Sequence, residues 1–257
     1  MIAPCHLRLA ALPWQQTFGR VSLIGPALVI ALAAVLAASP AVAEVTLSTP
    51  SGLSSGAKFR FLFLTSGSRD AASVNIADYN TFVTTEAGGA TYDGTTVSWR
   101  AVGSTAAVIA RDNVGGFGTN VPVYLVNGTK LSNNMTDSTG GLWGLFQTTI
   151  PPNITISATQ SGAQYAWTGS LYEGSDYPGN VLGANQPMLG IPSNPGFWIF
   201  AETTSAKATL FPMYAISNEL TVAAVPEPSS MALAAFGIAG AGLAYRRRQF
   251  ACRRSRA

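Results

Sequence analysis

The sequence predicts an α+β protein that is rich in β-structure, with one compact domain flanked by an apolar helix at each end. Residues 44–225 are rich in threonine, serine, glycine and asparagine, contain few charges, and show a single strong helical pattern. Two long uncharged apolar runs lie outside this region, one near each terminus. The expected segments are a leader over 1–43, a linker or edge segment over 44–57, the β-rich domain over 58–224, an apolar C-terminal segment over 225–248 and a basic tail over 249–257.

The N-terminal segment has the pattern of a cleavable signal peptide. A weakly basic start precedes an apolar run over 21–38, and the residues after that run end in the A-x-A pattern that signal peptidase accepts. The predicted cleavage site consists of Ala41, Ala43 and Glu44. The length of the apolar run leaves an uncleaved signal anchor as the alternative, but Pro40 and the small residues after it favour cleavage.

The C-terminal segment begins with a proline-rich turn that leads into an apolar run. Pro226, Glu227 and Pro228 form an extended turn, because each proline disfavours helical geometry in the residue before it. The apolar run over 229–245 predicts a transmembrane helix about 25 Å long. This length is short for a hydrocarbon core of about 30 Å, so the helix is expected to be a weak permanent anchor.

A basic cluster follows the apolar run directly. It consists of Arg246, Arg247 and Arg248. Arginines at the end of a membrane-spanning segment stop its transfer and stay on the cytoplasmic side, by the positive-inside rule. The domain that precedes the apolar run would therefore lie across the membrane, which is the orientation that the signal peptide gives independently.

This order of elements resembles the PEP-CTERM sorting domain of Gram-negative bacteria over about residues 225–248. The resemblance implies recognition by an exosortase, a membrane protease that cuts near the Pro-Glu-Pro motif, in bacteria that make exopolysaccharide. The basic tail 249–257 departs from the family, whose members usually stop soon after their arginines. A permanent single-pass tail anchor is the alternative, but it leaves the Pro-Glu-Pro placement unexplained.

The charge of the domain differs from that of the whole chain. The formal net charge is +3, but eight of the fifteen basic residues lie in the two end segments. The seven basic and eleven acidic residues of 44–225 leave the domain with a net charge of −4. A nucleic-acid-binding protein is therefore excluded, because the domain has no basic face to offer.

Several chemistries are excluded by residue types that the domain lacks. Cys5, Cys252 and the single histidine, His6, all lie in the end segments. A domain without cysteine or histidine cannot form a disulfide, a Ser-His-Asp or Cys-His catalytic site, or a histidine-ligated zinc site. We therefore expect no cofactor and no metal, and a core held together by apolar packing.

Local patterns predict the elements of the domain in order. The apolar run Phe59–Thr65 predicts a central strand, and Asn75–Ala87 an amphipathic helix that Asn75 caps and Gly88-Gly89 end. Asp93-Gly94 predicts a turn, and Val123–Leu131 a hairpin around Asn-Gly in a type I′ turn. Further strands are predicted at Thr96–Val102, Gln164–Thr168, Phe197–Phe200 and Tyr214–Val222.

This order of strand, helix and irregular strands weakly resembles the C-type-lectin-like and endostatin-like superfamily. The residues that carry the resemblance are Phe61–Thr65 with the helix, Val121–Val123, Ala166–Ser170 with Gly174, and Met213–Val222. It implies that the first and last strands pair, so that Phe59–Thr65 lies beside Tyr214–Val222. The superfamily's calcium, sugar and zinc motifs are absent, so no functional residues carry over, and a β-sandwich is the competing fold.

Three sets of side chains within the domain are candidate sites. Glu173 and Asp176 could act as paired carboxylates in glycoside hydrolysis, but a solvated loop explains them more simply. Calcium could be bound by Asp112 and Asn113 or by Asn133, Asn134 and Asp137, although turn chemistry is the favoured interpretation. A sugar-stacking platform could be formed by Trp143, Trp167 and Trp198, although core packing is favoured.

Together these patterns predict a non-enzymatic surface or matrix protein with a binding or structural role linked to exopolysaccharide. Its expected partners are signal peptidase, an exosortase, the membrane during transit and exopolysaccharide. The alternatives are a secreted carbohydrate-active enzyme that uses two carboxylates and a permanent single-pass membrane protein.

Overall fold

The computed structural model describes residues 44–144, 150–224 and 238, all within the unit Ala43–Ala257. No helix among these residues has both the length and the apolar character needed to cross a membrane. The helix expected over 229–245 is described only at residue 238. Of the predicted processing residues, Glu44 is described, and the following lie outside the described residues: Ala41, Ala43, Pro226, Glu227, Pro228, Arg246, Arg247 and Arg248.

The described domain consists of eleven short strands and two helices. The strands are β1 (Thr46–Leu47), β2 (Lys58–Leu64), β3 (Thr91–Tyr92), β4 (Thr95–Thr96), β5 (Trp99–Ala101), β6 (Val123–Leu125), β7 (Lys130–Ser132), β8 (Ala166–Trp167), β9 (Leu189–Gly190), β10 (Tyr214–Ser217) and β11 (Leu220–Thr221). The helices are α1 (Ile76–Glu86) and α2 (Ala110–Val114). A β-rich architecture with few helices confirms the coarse fold class expected from the sequence.

The strand β2 is the centre of the main sheet, as its apolar run predicts. Successive side chains of a strand point to opposite faces. Phe59, Phe61 and Phe63 therefore enter one apolar cluster, while Leu62 and Leu64 enter the cluster on the other face. Both faces of β2 are thus buried, and the domain has core on each side of the sheet.

The main sheet has the strand order β5-β10-β2-β6-β7, and β11 also pairs with β2. The neighbours β10 and β11 run antiparallel to β2, whereas β6 runs parallel to it. The sheet therefore brings the last strands of the domain beside its first long strand. This confirms the pairing expected for Phe59–Thr65 and Tyr214–Val222, although the second segment is two strands interrupted at Asn218–Glu219.

The helix α1 follows its sequence signals closely. The Asn75 side chain accepts a hydrogen bond from the backbone N–H of Ala77 at 3.0 Å, which caps the helix. Tyr79 and Val83 are fully buried on the predicted apolar face, which packs against β5. After the helix, Gly88 and Gly89 adopt positive φ angles of 58° and 76°, so they end it as predicted.

The hairpin of β6 and β7 forms at the predicted place, but with a different turn. A two-residue type I′ turn needs positive φ at both central residues, and of Asn127 and Gly128 only the glycine has it, at 86°. The N–H of Gly128 donates to the Leu125 carbonyl at 2.8 Å, and the Asn127 side chain accepts from the Thr129 N–H at 3.0 Å. These bonds make a longer loop, so the type I′ prediction is wrong.

Other strand predictions are too long or wrong. Thr96–Val102 is divided between β4 and β5, and Gln164–Thr168 shortens to β8. Phe197–Phe200 is not a strand. The N–H of Phe197 instead donates to the Asn194 carbonyl at 3.1 Å, which closes a turn. The predicted turn at Asp93-Gly94 is confirmed between β3 and β4.

Two small sheets complete the described domain. The segment 44–57 contributes β1, which runs parallel to β3 in the sheet β1-β3-β4. Its other end also joins the domain, because Gly56 and Ala57 exchange backbone hydrogen bonds of 2.9 Å with Val222. The second small sheet pairs β8 with β9.

Because two tyrosines are buried, the domain is expected to lose stability at alkaline pH. Burial raises the pKa of Tyr79 to about 12, against the opposing charge of Arg69, and burial raises the pKa of Tyr214 well above its usual value. The unfolded chain would ionise near pH 10 while the folded tyrosines stay protonated. The free energy of unfolding should therefore be intact below pH 10 and fall as pH rises towards 12, by up to about 3 kcal/mol for Tyr79 alone.

Urea unfolding at pH 8 and pH 11 would measure this loss. Tyr214→Phe is the matched variant, because the Tyr214 hydroxyl is buried with no hydrogen-bond partner among the described residues. It should be as stable as the wild type, or slightly more stable, at pH 8 and should lose less stability at pH 11. Equal losses in the variant and the wild type would show that Tyr214 does not contribute to the pH dependence.

Candidate functional site

A cleft of about 430 Å³ on the described domain combines charged and aromatic side chains. It is lined by Arg111, Asp137, Thr139, Trp143, Tyr172 and Glu173. A second cleft, at the segments 45–51, 126–128 and 156–158, has no charged residue in its lining. In the lining of a third cleft, between α1 and β5, the only charged residue is Arg100. Of these three clefts in the described domain, the first, called here the Glu173 cleft, has the charged and aromatic side chains to recognise a polar ligand.

The helix α2 supplies the cation of the Glu173 cleft and joins it to the opposite wall. The Arg111 guanidinium lies over the Phe117 ring, with its carbon 4.7 Å from the ring centroid. The backbone N–H of Arg111 donates to the Gly174 carbonyl at 3.2 Å. The loop that carries Glu173 is thereby fixed against the helix that carries Arg111.

That loop is a tight turn closed by its own backbone. The Gly174 N–H donates to the Leu171 carbonyl, and the Leu171 N–H donates to the Ser175 carbonyl, both at 3.0 Å. Glu173 lies within this turn and is half-buried. Its Oε1 accepts a hydrogen bond from the Ser175 hydroxyl at 3.0 Å, whereas its Oε2 is buried with no partner among the described residues.

Trp143 packs directly against this turn and is fully buried. Gly174 has a φ of 73°, and a Cβ added there would lie 2.5 Å from Cε3 of the indole. The turn therefore needs glycine at this position, both for its conformation and for the close approach of the ring. The Trp143 Nε1–H is a second buried polar group with no partner among the described residues.

The cleft joins residues that belong to different candidate sites in the sequence. The sequence suggests Glu173 and Asp176 as a carboxylate pair, and Asp137 as a calcium ligand. In the structure Glu173 and Asp137 line the cleft together, whereas Asp176 is not part of its lining. Arg111 and Tyr172 were not singled out from the sequence. They are far from Asp137 and Trp143 along the chain, so no local spacing could have revealed the group.

Three of the other candidate calcium ligands, Asn113, Asn133 and Asn134, are engaged in the domain's own hydrogen bonds. The Asn113 amide donates to the Ala101 carbonyl at 2.7 Å and to the Asn80 side chain at 2.9 Å. Asn134 Oδ1 accepts from the Thr136 N–H and hydroxyl, and Asn133 Oδ1 from Lys130 Nζ. Among the described residues no group of three or more histidine, cysteine, aspartate or glutamate side chains could hold a metal ion.

The three tryptophans do not form an exposed platform. Trp143, Trp167 and Trp198 expose 1% of their surface or less. The Trp167 indole donates to the Arg69 carbonyl at 3.0 Å, and the Trp198 ring meets Tyr214 edge to face at 5.1 Å. The interpretation of these residues as core is confirmed. Trp143 lies beneath the surface of the Glu173 cleft, where its buried ring packs under the cleft wall.

The end of the described domain leads directly into the C-terminal segment. Val222 makes the last backbone hydrogen bonds of the sheet region, with Gly56 and Ala57. Only Ala223 and Ala224 then separate this bonded residue from the C-terminal segment, which begins at residue 225. The folded part of the domain therefore reaches almost to that segment.

The comparisons with known proteins identify that segment. A search among curated proteins found no match to this chain. The family model described as the PEP-CTERM protein-sorting motif matches residues 224–248, which include the Pro-Glu-Pro sequence, the apolar run and the arginine cluster. The chain therefore carries a PEP-CTERM protein-sorting motif at residues 224–248, which only Val222 and Ala223 separate from the last described strand of its domain.

Proposed function

We propose that this protein is an exported surface or matrix protein of a Gram-negative bacterium with a binding or structural role in exopolysaccharide. The PEP-CTERM motif at 224–248 is the observation that carries the proposal, because such a motif implies export, transient anchoring in the membrane and processing by an exosortase. Signal peptidase would remove residues 1–43, and the exosortase would cut near Pro226–Pro228. The trimmed domain would then reach the cell surface or the medium.

The fold is consistent with a module that acts by binding. The first long strand pairs with the last strands, and α1 packs against the mixed sheet. This arrangement favours a C-type-lectin-like fold over a β-sandwich. The domain would bind without calcium or zinc, since it lacks the superfamily's metal motifs and has no cysteine or histidine between residues 44 and 225.

The intact mass of the protein recovered from cells and from medium tests the processing. The mature form should lack residues 1–43 and everything after about Val225. A double variant, Pro226→Ala with Pro228→Ala, should accumulate in the membrane fraction with its arginine tail, because it lacks the prolines that mark the motif. A wild-type mature form that keeps the arginine cluster 246–248 would instead identify a permanent single-pass membrane protein.

A secreted carbohydrate-active enzyme is the second candidate, because Glu173 and Asp137 line one cleft. Most glycoside hydrolases use two carboxyl groups that flank the glycosidic bond they cleave. This candidate requires that the purified protein cleave a glycan and that Glu173→Gln and Asp137→Asn each abolish the cleavage. Glycan retention without any release of reducing ends would refute it in favour of binding.

A further inference from the structure

The last residue with backbone hydrogen bonds in the described domain lies close to the predicted processing site. Val222 donates its N–H to the Ala57 carbonyl and accepts a bond from the Gly56 N–H, both at 2.9 Å. This arrangement, called here the Val222 pairing, extends β11 along the chain that leads into β2. Only residues 223–225 separate Val222 from Pro226. Because four steps of fully extended chain cover at most about 14 Å, the pairing lies within that distance of the motif's first proline.

Two further contacts hold this end of the chain on the domain. Lys58 and Glu219 form an ion pair of 2.6 Å beside β11. Leu220 and Val222 are half-buried and pack against the apolar cluster that contains Phe59. Exposed ion pairs contribute little to stability, and half-buried side chains contribute less than fully buried ones. The Val222 pairing is therefore closed in the folded domain, but it opens at a lower cost in free energy than the centre of the main sheet.

The Val222 pairing occupies backbone groups that a protease would need. A protease binds the chain beside its cut in an extended form, largely through hydrogen bonds to the main chain. The N–H and carbonyl of Val222 are not free for such bonds while Gly56 and Ala57 hold them. A cut near Pro226 therefore requires backbone that the folded domain already uses. Cleavage through a locally opened state proceeds at a rate set by the population of that state.

We propose that the Val222 pairing delays the exosortase, so that the folded domain is cut only when β11 and Val222 detach from β2 and from residues 56–57. This rests on the proposed processing and adds the step that limits its rate. The segment 44–57 thereby acts on the opposite end of the domain, because Gly56 and Ala57 hold the residue next to the processing site. Protein that has already folded leaves the membrane at the rate at which this pairing opens.

An inserted spacer tests the proposal without changing either the pairing or the motif. Insertion of Gly-Ser-Gly-Ser between Ala223 and Ala224 leaves Val222 and the matched residues 224–248 as they are. Pulse labelling in the bacterium that makes the protein, followed by intact mass, measures how fast the arginine tail is lost. The spacer variant should lose it faster than the wild type by about threefold or more. The same insertion after the exposed Gly162 is the control and should leave the rate unchanged.

Two glycines of the segment 44–57 allow a matched test from the other side of the pairing. Gly52 and Gly56 have φ angles of 82° and 76°, and a Cβ built on either meets no atom within 4 Å. Alanine therefore strains the backbone to a similar degree at both positions. Gly56→Ala relieves its strain by giving up the bond to Val222, so cutting should accelerate by about threefold or more. Gly52 makes no described backbone bond to Val222, and Gly52→Ala should be cut at the wild-type rate.

Amide hydrogen exchange of the folded protein shows whether the pairing itself opens more often. Gly56→Ala should speed exchange of the Val222 N–H by about threefold or more, whereas the spacer should leave that exchange unchanged. The Thr91 N–H, which donates to the Val45 carbonyl in a separate small sheet, is the internal reference. Faster cutting of Gly56→Ala without faster exchange at Val222 would overturn the role of the pairing.

The outcomes separate the pairing from the processing. If the spacer variant and Gly56→Ala are both cut at the wild-type rate, the proposal is overturned, because the exosortase then reaches its site with the pairing closed or before the domain folds. A faster spacer variant beside an unchanged Gly56→Ala protein would also overturn it, since distance from the domain would then be the cause. A wild-type protein that never loses its arginine tail would refute the processing itself. Only this last result changes the mass of the mature protein.

Discussion

Replacement of Gly190 by alanine is expected to lower the free energy of unfolding by about 3 kcal/mol. Gly190 lies in β9 and pairs with the fully buried Ala166 of β8. A Cβ at this position would overlap the carbonyl oxygen of Trp198 and come within 3.2 Å of the Ile199 Cα. Both are backbone atoms in a buried loop, so no side-chain rotation can relieve the overlap.

Gly162→Ala is the matched control for this prediction. No atom lies within 4 Å of a Cβ built at Gly162, and its backbone is outside the left-handed region. This alanine should be neutral, or stabilise by up to about 1 kcal/mol by restricting the unfolded chain. Urea unfolding of the two variants measures the contrast, and a Gly190→Ala protein within about 1 kcal/mol of the wild type would contradict the prediction.

Elements with strong local signals were predictable from the sequence. The helix α1 has a capping asparagine, an apolar face and two glycines after its end, and all three signals act within about a dozen residues. The strand β2 has an unbroken apolar run, which is typical of a strand buried on both faces. The C-terminal motif was predictable for the same reason, because its three elements are consecutive.

Elements that depend on distant partners were not predictable. Phe197–Phe200 is apolar like a strand, but its backbone hydrogen bonds go to turns and to the side chain of Thr168. The Glu173 cleft could not be predicted from the sequence for the same reason. It is built from residues on α2 and two separate loops, and only the tertiary fold brings Arg111, Asp137 and Glu173 to one place.

Arg60 is the clearest case of a role that the sequence hides. A lone arginine in an apolar strand would ordinarily reach solvent, yet Arg60 is only 7% exposed. Its Nη1 donates to the Val114 carbonyl at 2.8 Å and to the Ser217 carbonyl at 3.2 Å. It thus joins β2 to the end of α2 and to the end of β10. Burial lowers the pKa of Arg60, an effect that the charge of Glu219 partly opposes.

Arg60→Ala is therefore expected to lower the free energy of unfolding by about 3–5 kcal/mol. The change removes the packing of the side-chain stem and leaves two buried carbonyl oxygens without their donor. Arg60→Met separates these two effects, because it keeps most of the stem but no donor, and should cost about 2 kcal/mol. The exposed Arg100 of β5 provides the control, since Arg100→Ala should change stability by no more than about 0.5 kcal/mol.

Urea unfolding at pH 7 measures the free energy of unfolding of all three variants. The value for the methionine variant shows whether Arg60 stabilises the domain through its hydrogen bonds or only through the packing of its stem. Removing a buried charge also removes its desolvation cost, which opposes the loss of the hydrogen bonds. An Arg60→Met protein as stable as the wild type would mean that these two terms cancel and that Arg60 stabilises the domain only through its stem. A loss of about 2 kcal/mol would instead show that the two carbonyl contacts hold α2 and β10 against the central strand. The second result is expected, because Arg60 Nη1 donates to both carbonyls, and the Val114 carbonyl lies in the last turn of α2, where it has no intrahelical donor.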